Sequence, residues 1–208
     1  MTKRMSGDER RAQIIEASAE LFARKGFRGT TTREIAEGAG VSEAMIFKHF
    51  ATKEELYGAI IDAKTHPDNI LAPAAGPAAA REDAAVLRAI GRRLVERAQA
   101  DPTILRLLHF SALEGHQLSE IFFRTRFQVV LDFLTAYIHQ RIGEGAFRPV
   151  DPVLAAQGYL GMVAYYLQLH ELFGRKREPT ESPEQAIAAF VDLFLAGIRT
   201  GESDRSHP

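Results

Sequence analysis

Apolar residues recur at helical spacing along most of this chain, in segments of two very different lengths. Ile14, Ile15, Leu21 and Phe22 fall in two pairs seven residues apart, so they share one face of a helix from about Asp8 to Lys25. Leu56, Ile60 and Ile61 do the same for a helix from Lys53 to about Lys64. Beyond residue 81 the period predicts helices over about Glu82 to Ala100, Pro102 to Glu114, Leu118 to Ile142, Pro152 to Phe173 and Pro183 to Thr200. Asp101-Pro102, Asp151-Pro152 and Ser182-Pro183 each offer a cap followed by proline at the first helical position, and Ser182 with Gln185 completes a capping box. No alternating strand pattern competes, so the fold class is all-α. His66 to Ala80 stands apart: Pro67, Pro73, Gly76 and Pro77 among alanines interrupt regular helix and predict a linker.

Residues 30–56, TTTREIAEGAGVSEAMIFKHFATKEEL, crowd three helix starts and a glycine turn into a span that admits only short consecutive helices. Thr31 with Glu34 and Thr52 with Glu55 have the spacing in which each side chain satisfies a free backbone donor at a helix N-terminus. Ser42 caps a helix between them. Gly40 supplies the positive φ that ends one helix and redirects the chain into the next. Ala36 is then the small residue at the helix crossing and Ile46 the plug beneath the second helix, about Glu43 to Phe50. With Ile46 and Phe50 buried, Ala44, Met45, Phe47, Lys48 and His49 face outward. Exposed Met and Phe beside Lys and His suit a surface that meets base edges and phosphates, so the layout predicts a helix-turn-helix DNA reader.

Composition narrows the setting. The chain has 208 residues, 46% hydrophobic and 25% charged, which is ordinary for a globular protein. It has no cysteine, which excludes disulfides, thiolate metal sites and thiol redox sensing. No apolar run is long enough to span a membrane, and the N-terminus opens on a polar, mixed-charge helix, so a cytoplasmic location is expected. The net charge of −1 argues against indiscriminate nucleic-acid binding, which makes local charge decisive. Residues 1–50 carry nine basic against seven acidic residues. Lys3, Arg4, Arg10 and Arg11 form either an arm that follows DNA or a solvated tail.

From about Arg11 to Leu56 the chain resembles the amino-terminal domain of the tetracycline-repressor (TetR) family of transcription regulators. The resemblance is carried by Leu21-Phe22 with Gly26-Phe27, the Thr-Thr pair, IAEGAGVS, Phe47-Lys48-His49-Phe50 and Lys53-Glu54-Glu55-Leu56. It implies backbone-phosphate contacts from Thr32, Ser42, His49 and Lys53, and major-groove contacts from Glu43, Ala44, Met45 and Lys48. Arg33 joins the DNA-facing set. Phe47 departs from the family, which usually has tyrosine there; a hydroxyl contact to phosphate is missing, while packing against sugar or a thymine methyl remains.

The last two helices carry alanine and glycine on apolar faces, Ala155, Gly158, Gly161, Tyr165 and Leu172 on one and Ile187, Phe190, Phe194 and Gly197 on the other. These faces either pack within the subunit or, as the resemblance implies, pair with a second copy in a homodimer that presents two readers to a near-palindromic operator of double-stranded DNA. Leu107, Phe110, Leu113, Phe123, Phe127, Tyr137, Met162, Tyr165 and Tyr166 are either core or the lining of a cavity for a small, largely apolar effector. Arg106, His109, Glu114, His116 and Arg124 lie among them and could orient a polar group of such a ligand. No catalytic, metal or cofactor motif is found: His170-Glu171 lacks a second histidine, and no phosphate loop or nucleophile turn occurs.

The expected layout is a helix-turn-helix domain over 1–52, a connecting helix over 53–64, a linker over 65–81, a larger helical ligand-binding and dimerisation domain over 82–200, and a disordered tail over 201–208. The expected function is a non-enzymatic regulator, usually a repressor, released from its operator by an effector. A helical DNA-binding protein without an effector and a ligand carrier with a vestigial reader are the alternatives.

Overall fold

The computed structural model describes residues 5–64, 68–114, 127–178 and 182–200. In chain order its helices are α1 (Gly7–Lys25), α2 (Thr32–Gly38), α3 (Glu43–His49), α4 (Lys53–Lys64), α5 (Asp68–Ala79), α6 (Asp83–Ala100), α7 (Thr103–Leu113), α8 (Gln128–Gly143), α9 (Pro152–Leu167) with a π-helical turn at Gln168–Leu172, and α10 (Pro183–Ile198). Among the described residues there is no strand, only an isolated bridge between Phe147 and Arg199. The elements fall into two compact units. One holds α1 to α4 with α7; the other holds α5, α6 and α8 to α10.

In the first unit the predicted caps are formed. Thr31 Oγ1 accepts from the Glu34 amide at 3.2 Å, Ser42 Oγ from the Met45 amide at 3.3 Å, and Thr52 Oγ1 from the Glu55 amide at 3.0 Å. Gly40 sits at φ 61°, in the left-handed region that any Cβ makes costly, and the Val41 amide bonds back to Ala36 across the turn. Ile14, Phe22, Ile35, Ile46, Phe50, Leu56 and Ile60 close the core, each of them almost wholly removed from water. Full burial of one such side chain stabilises by about 1.5–3 kcal/mol, so this short-helix unit depends on the shared core and not on helix propensity. Phe22, Phe27 and Tyr57 add an aromatic cluster with ring centroids 5.3 to 5.6 Å apart.

Helix α7 differs from expectation in its partner. The segment from Pro102 to Glu114 was expected in the larger domain, yet Leu107 is fully buried in the core of the first unit and Ile104 packs against it. The buried Tyr57 hydroxyl donates to the Leu107 carbonyl at 2.9 Å, and burial pushes this phenol up to about 12. Lys64 ties the far end, donating to Glu16 at 2.8 Å and to Asp101 at 2.7 Å. Desolvation opposes that ammonium, but the two carboxylates prevail and raise its pKa.

The second unit corrects the linker. Asp68–Ala79 is the helix α5, with Pro73 and Pro77 inside it. Proline removes a donor and crowds the preceding turn, but alanine is the best helix former, and Ala74 is fully buried where α5 packs on α6. Alanine propensity and packing overcome the breakers here. Arg81 at φ 58° ends the helix, and the Glu82 amide bonds to the Pro77 carbonyl. At the start of α6, buried Asp83 accepts from the Tyr137 hydroxyl at 2.6 Å and from Arg141 Nε at 2.8 Å, joining α6 to α8. Tyr159 of α9 is fully buried and donates to the Leu87 carbonyl at 2.6 Å. Asp151 and Ser182 cap α9 and α10 as their spacing predicts. Of the helix expected over Leu118 to Ile142, residues 118–126 lie outside the described residues, as do the tail 201–208, Lys3 and Arg4.

Candidate nucleic-acid interface

Helix α3 buries Ile46, and Phe50 caps its end beneath it, both at 2% exposure or less. The opposite face is open. Glu43, Ala44 and Lys48 are exposed, Met45 and His49 half-buried, and Phe47 is 51% exposed. Half of this phenyl ring is left in water beside the Lys48 position. Ser42 is exposed at its cap, which uses one acceptor site and leaves the hydroxyl hydrogen to be donated outward.

The remaining residues of the expected set are more committed. Thr32 donates to Glu43 at 2.8 Å, tying the first residue of α2 to the first of α3. Arg33 pairs with Glu37 at 3.0 Å, an exposed ion pair of little energetic weight. Lys53, expected at phosphate, also has a role inside the unit. Its ammonium donates to the carbonyls of Phe27 at 2.7 Å and Thr30 at 2.9 Å and lies 4.2 Å over the Phe27 ring. Desolvation lowers its pKa, and two of its three donors are spent holding the α1–α2 loop. Arg11, whose guanidinium sits 4.8 Å over Phe50, is exposed beside α3.

The N-terminus of α2 is fixed electrostatically. Glu34 accepts from Lys25 at 2.5 Å and from the Thr31 amide at 2.9 Å, and these bonds, Lys25 first, hold its pKa at about 2 against an ordinary 4.5. A carboxylate depressed in the folded state stabilises fully above its unfolded value and is lost as pH falls through the folded one. The Thr31 amide resonance should therefore titrate with a midpoint near 2, and Lys25→Ala should raise that midpoint. A midpoint near 4.5 in the parent protein would contradict the pairing.

The residues expected to line a cavity differ in their settings within each unit. Leu107 belongs to the core of the first unit, Leu113 is 85% exposed, and Glu114 is engaged by the Arg28 amide. Phe110 and Phe127 are half-buried, as is Met162 on α9. Tyr137 gives its hydroxyl to Asp83, and Tyr165 is 61% exposed. Tyr166 is buried, accepts from Arg177 at 3.0 Å and meets Phe190 at 6.2 Å. His109 bonds the Leu105 carbonyl one turn back. Phe123, His116 and Arg124 lie outside the described residues. A cleft of about 270 Å³ lies between α6 and α10, walled by Arg88, Arg92, Val95, Glu96 and Ile187 among others. By helical period alone these charged positions are indistinguishable from a solvated helix face.

On α9, Gly158, Gly161 and Tyr165 are exposed together with Leu154, which is 66% exposed; on α10, Gly197 is exposed with Leu193 at 67%. Ala155 is half-buried. Phe190 and Phe194 turn partly inward, the latter 5.6 Å from Tyr159. Leu154 and Leu193 were not among the residues that the sequence pattern marked on these faces.

Residues 14–60 match the model described as bacterial regulatory proteins of the tetR family. Residues 85–197, more than half of the chain, match the model of the C-terminal domain of AefR-like transcriptional repressors. The chain belongs to the TetR family. It is 40% identical over 68 residues to the transcriptional activator FasR of Mycolicibacterium smegmatis, a stretch covering 33% of this chain and 30% of FasR. The curated relative is thus matched over less than a third of its own length. A TetR-family regulator from Mesorhizobium loti superposes with a TM-score of 0.71 at 25% identity, covering 95% of this chain and all of that one. AibR, solved with isovaleryl coenzyme A and operator DNA, superposes with a TM-score of 0.67 at 25% identity over 88% of this chain and 97% of AibR. The helical reader and the larger helical unit are therefore those of the TetR fold. Among the described residues no helix is long and apolar enough to cross a membrane, and no group of three His, Asp or Glu could hold a metal.

Proposed function

We propose that this TetR-family protein is a homodimeric, cytoplasmic repressor that binds a near-palindromic DNA operator through α3 and leaves it when a small molecule binds its larger unit. The exposed strip of α3, with Phe47 open to water beside Lys48, carries the DNA reading. Met45 and Lys48 contact base edges. Thr32, Arg33, Ser42 and His49 contact phosphate, and Phe47 lies against sugar or a thymine methyl. The C-terminal match to AefR-like repressors supports repression. That AibR was solved with an acyl-coenzyme A and operator DNA supports an effector. The apolar, glycine-bearing faces of α9 and α10 support the dimer.

The test is selection of bound duplexes from a random library, followed by variants on the selected site. His49→Ala should weaken binding to all duplexes alike and reduce the salt dependence by about one phosphate contact. Lys48→Ala or Met45→Ala should change which duplex is preferred, with about 1–3 kcal/mol lost at the contacted base pair. Uniform losses for all three, or no duplex selected, would refute the assignment.

A further inference from the structure

The loop between α1 and α2 runs directly into Thr31 and Thr32, and it is held from two sides. On one side Lys53 takes the carbonyls of Phe27 and Thr30. On the other, both carboxylate oxygens of Glu114 lie 3.3 Å from the Arg28 amide. Contact is close: a Cβ built on Gly26 would come within 2.2 Å of Glu114 Oε1 and 3.1 Å of the Phe110 ring. Gly26 also has φ 74°, so the loop's first residue is glycine for its backbone and for this approach. Within the loop, the Thr30 hydroxyl donates to the Gly26 carbonyl at 2.9 Å, which makes it a small rigid body with a fixed exit toward α2.

We infer that Glu114 is a positioning residue for DNA binding, which with Lys53 clasps the Gly26–Thr30 loop and so sets the start of α2. The inference rests on the DNA-binding reading above and deepens it. Glu114 stands at the C-terminal cap of α7, within the first unit. A carboxylate is well suited to the place, because it accepts from a backbone amide and sits in the field of the Lys53 ammonium. The clasp thus puts the cap of α7 and the first residue of α4 directly on the segment that presents Thr32.

The full-length protein is tested on its own selected duplex, with backbone amide exchange and thermal unfolding measured in parallel. Glu114→Ala should weaken binding about tenfold, the effect of one lost charge-assisted bond, and should release the Arg28 amide to exchange while leaving the melting temperature nearly unchanged. Glu114→Gln keeps an acceptor and should recover most of the protection. Gly26→Ala should weaken binding more in the parent than in the Glu114→Ala background, because part of its clash is with Glu114. Unchanged affinity and exchange in Glu114→Ala, or losses that merely track global unfolding, would overturn the inference. If no duplex is selected, the DNA-binding reading fails, and Arg28 exchange alone still decides whether the clasp exists.

Discussion

Replacing Tyr165 with glutamate should yield a folded monomer that binds its operator at least about a hundredfold more weakly than the parent. Linking two readers makes the second binding event intramolecular at millimolar effective concentration, and losing the link removes a factor of about 10² to 10⁴. Tyr165 is 61% exposed, so a carboxylate there costs the isolated subunit little. Buried against a second copy, the same carboxylate would be unpaired and expensive. Leu193→Glu, on the neighbouring helix at 67% exposure, should act alike. Sedimentation velocity reports the assembly state, and anisotropy on the selected duplex reports the affinity. Dimers of unaltered affinity in both variants would remove the α9–α10 face from the interface.

The two predictions about DNA and dimerisation draw on parts of the molecule that the sequence revealed unequally. Helix starts in the reader were legible because caps act within four residues: Thr31 with Glu34, Ser42, and Thr52 with Glu55. The open face of α3 followed as the complement of Ile46 and Phe50. Partners chosen by tertiary contact were not legible. Nothing near Leu107 marks it for the reader's core, since its helical period is satisfied by any apolar neighbour. The Glu114 contact to Arg28 spans 86 residues, and the diversion of Lys53 from solvent to two carbonyls spans 26 and 23. Helix α5 failed for another reason, a local conflict in which proline and alanine give opposite signals and only the packing of Ala74 settles the outcome. Aromatic content identifies buried surface without saying whether that surface faces a cavity.

Asp83→Ala should destabilise the second unit strongly, by about 3–5 kcal/mol, the usual cost of removing one partner of a buried ion pair. Asp83 is 7% exposed and Arg141 14%, and Arg141 reaches both carboxylate oxygens, at 2.8 and 3.3 Å. The Tyr137 hydroxyl shares the same oxygen at 2.6 Å, and burial with this anion raises its pKa. Removing the carboxylate leaves the phenol without its acceptor and the guanidinium with Glu144 alone, at the junction of α6 and α8. Asp83→Asn retains an acceptor but no charge, so it should fall between Asp83→Ala and the parent. Arg199, 3.9 Å from the same carboxylate and 54% exposed, should matter by less than about 1 kcal/mol when replaced by alanine. Urea unfolding followed by far-ultraviolet circular dichroism separates these cases: at a typical slope of about 2 kcal/mol per molar, Asp83→Ala should lower the midpoint by about 1.5–2.5 M. An Arg199→Ala loss as large as that of Asp83→Ala would mean that the exposed rim, and not the buried pair, holds α6 to α8.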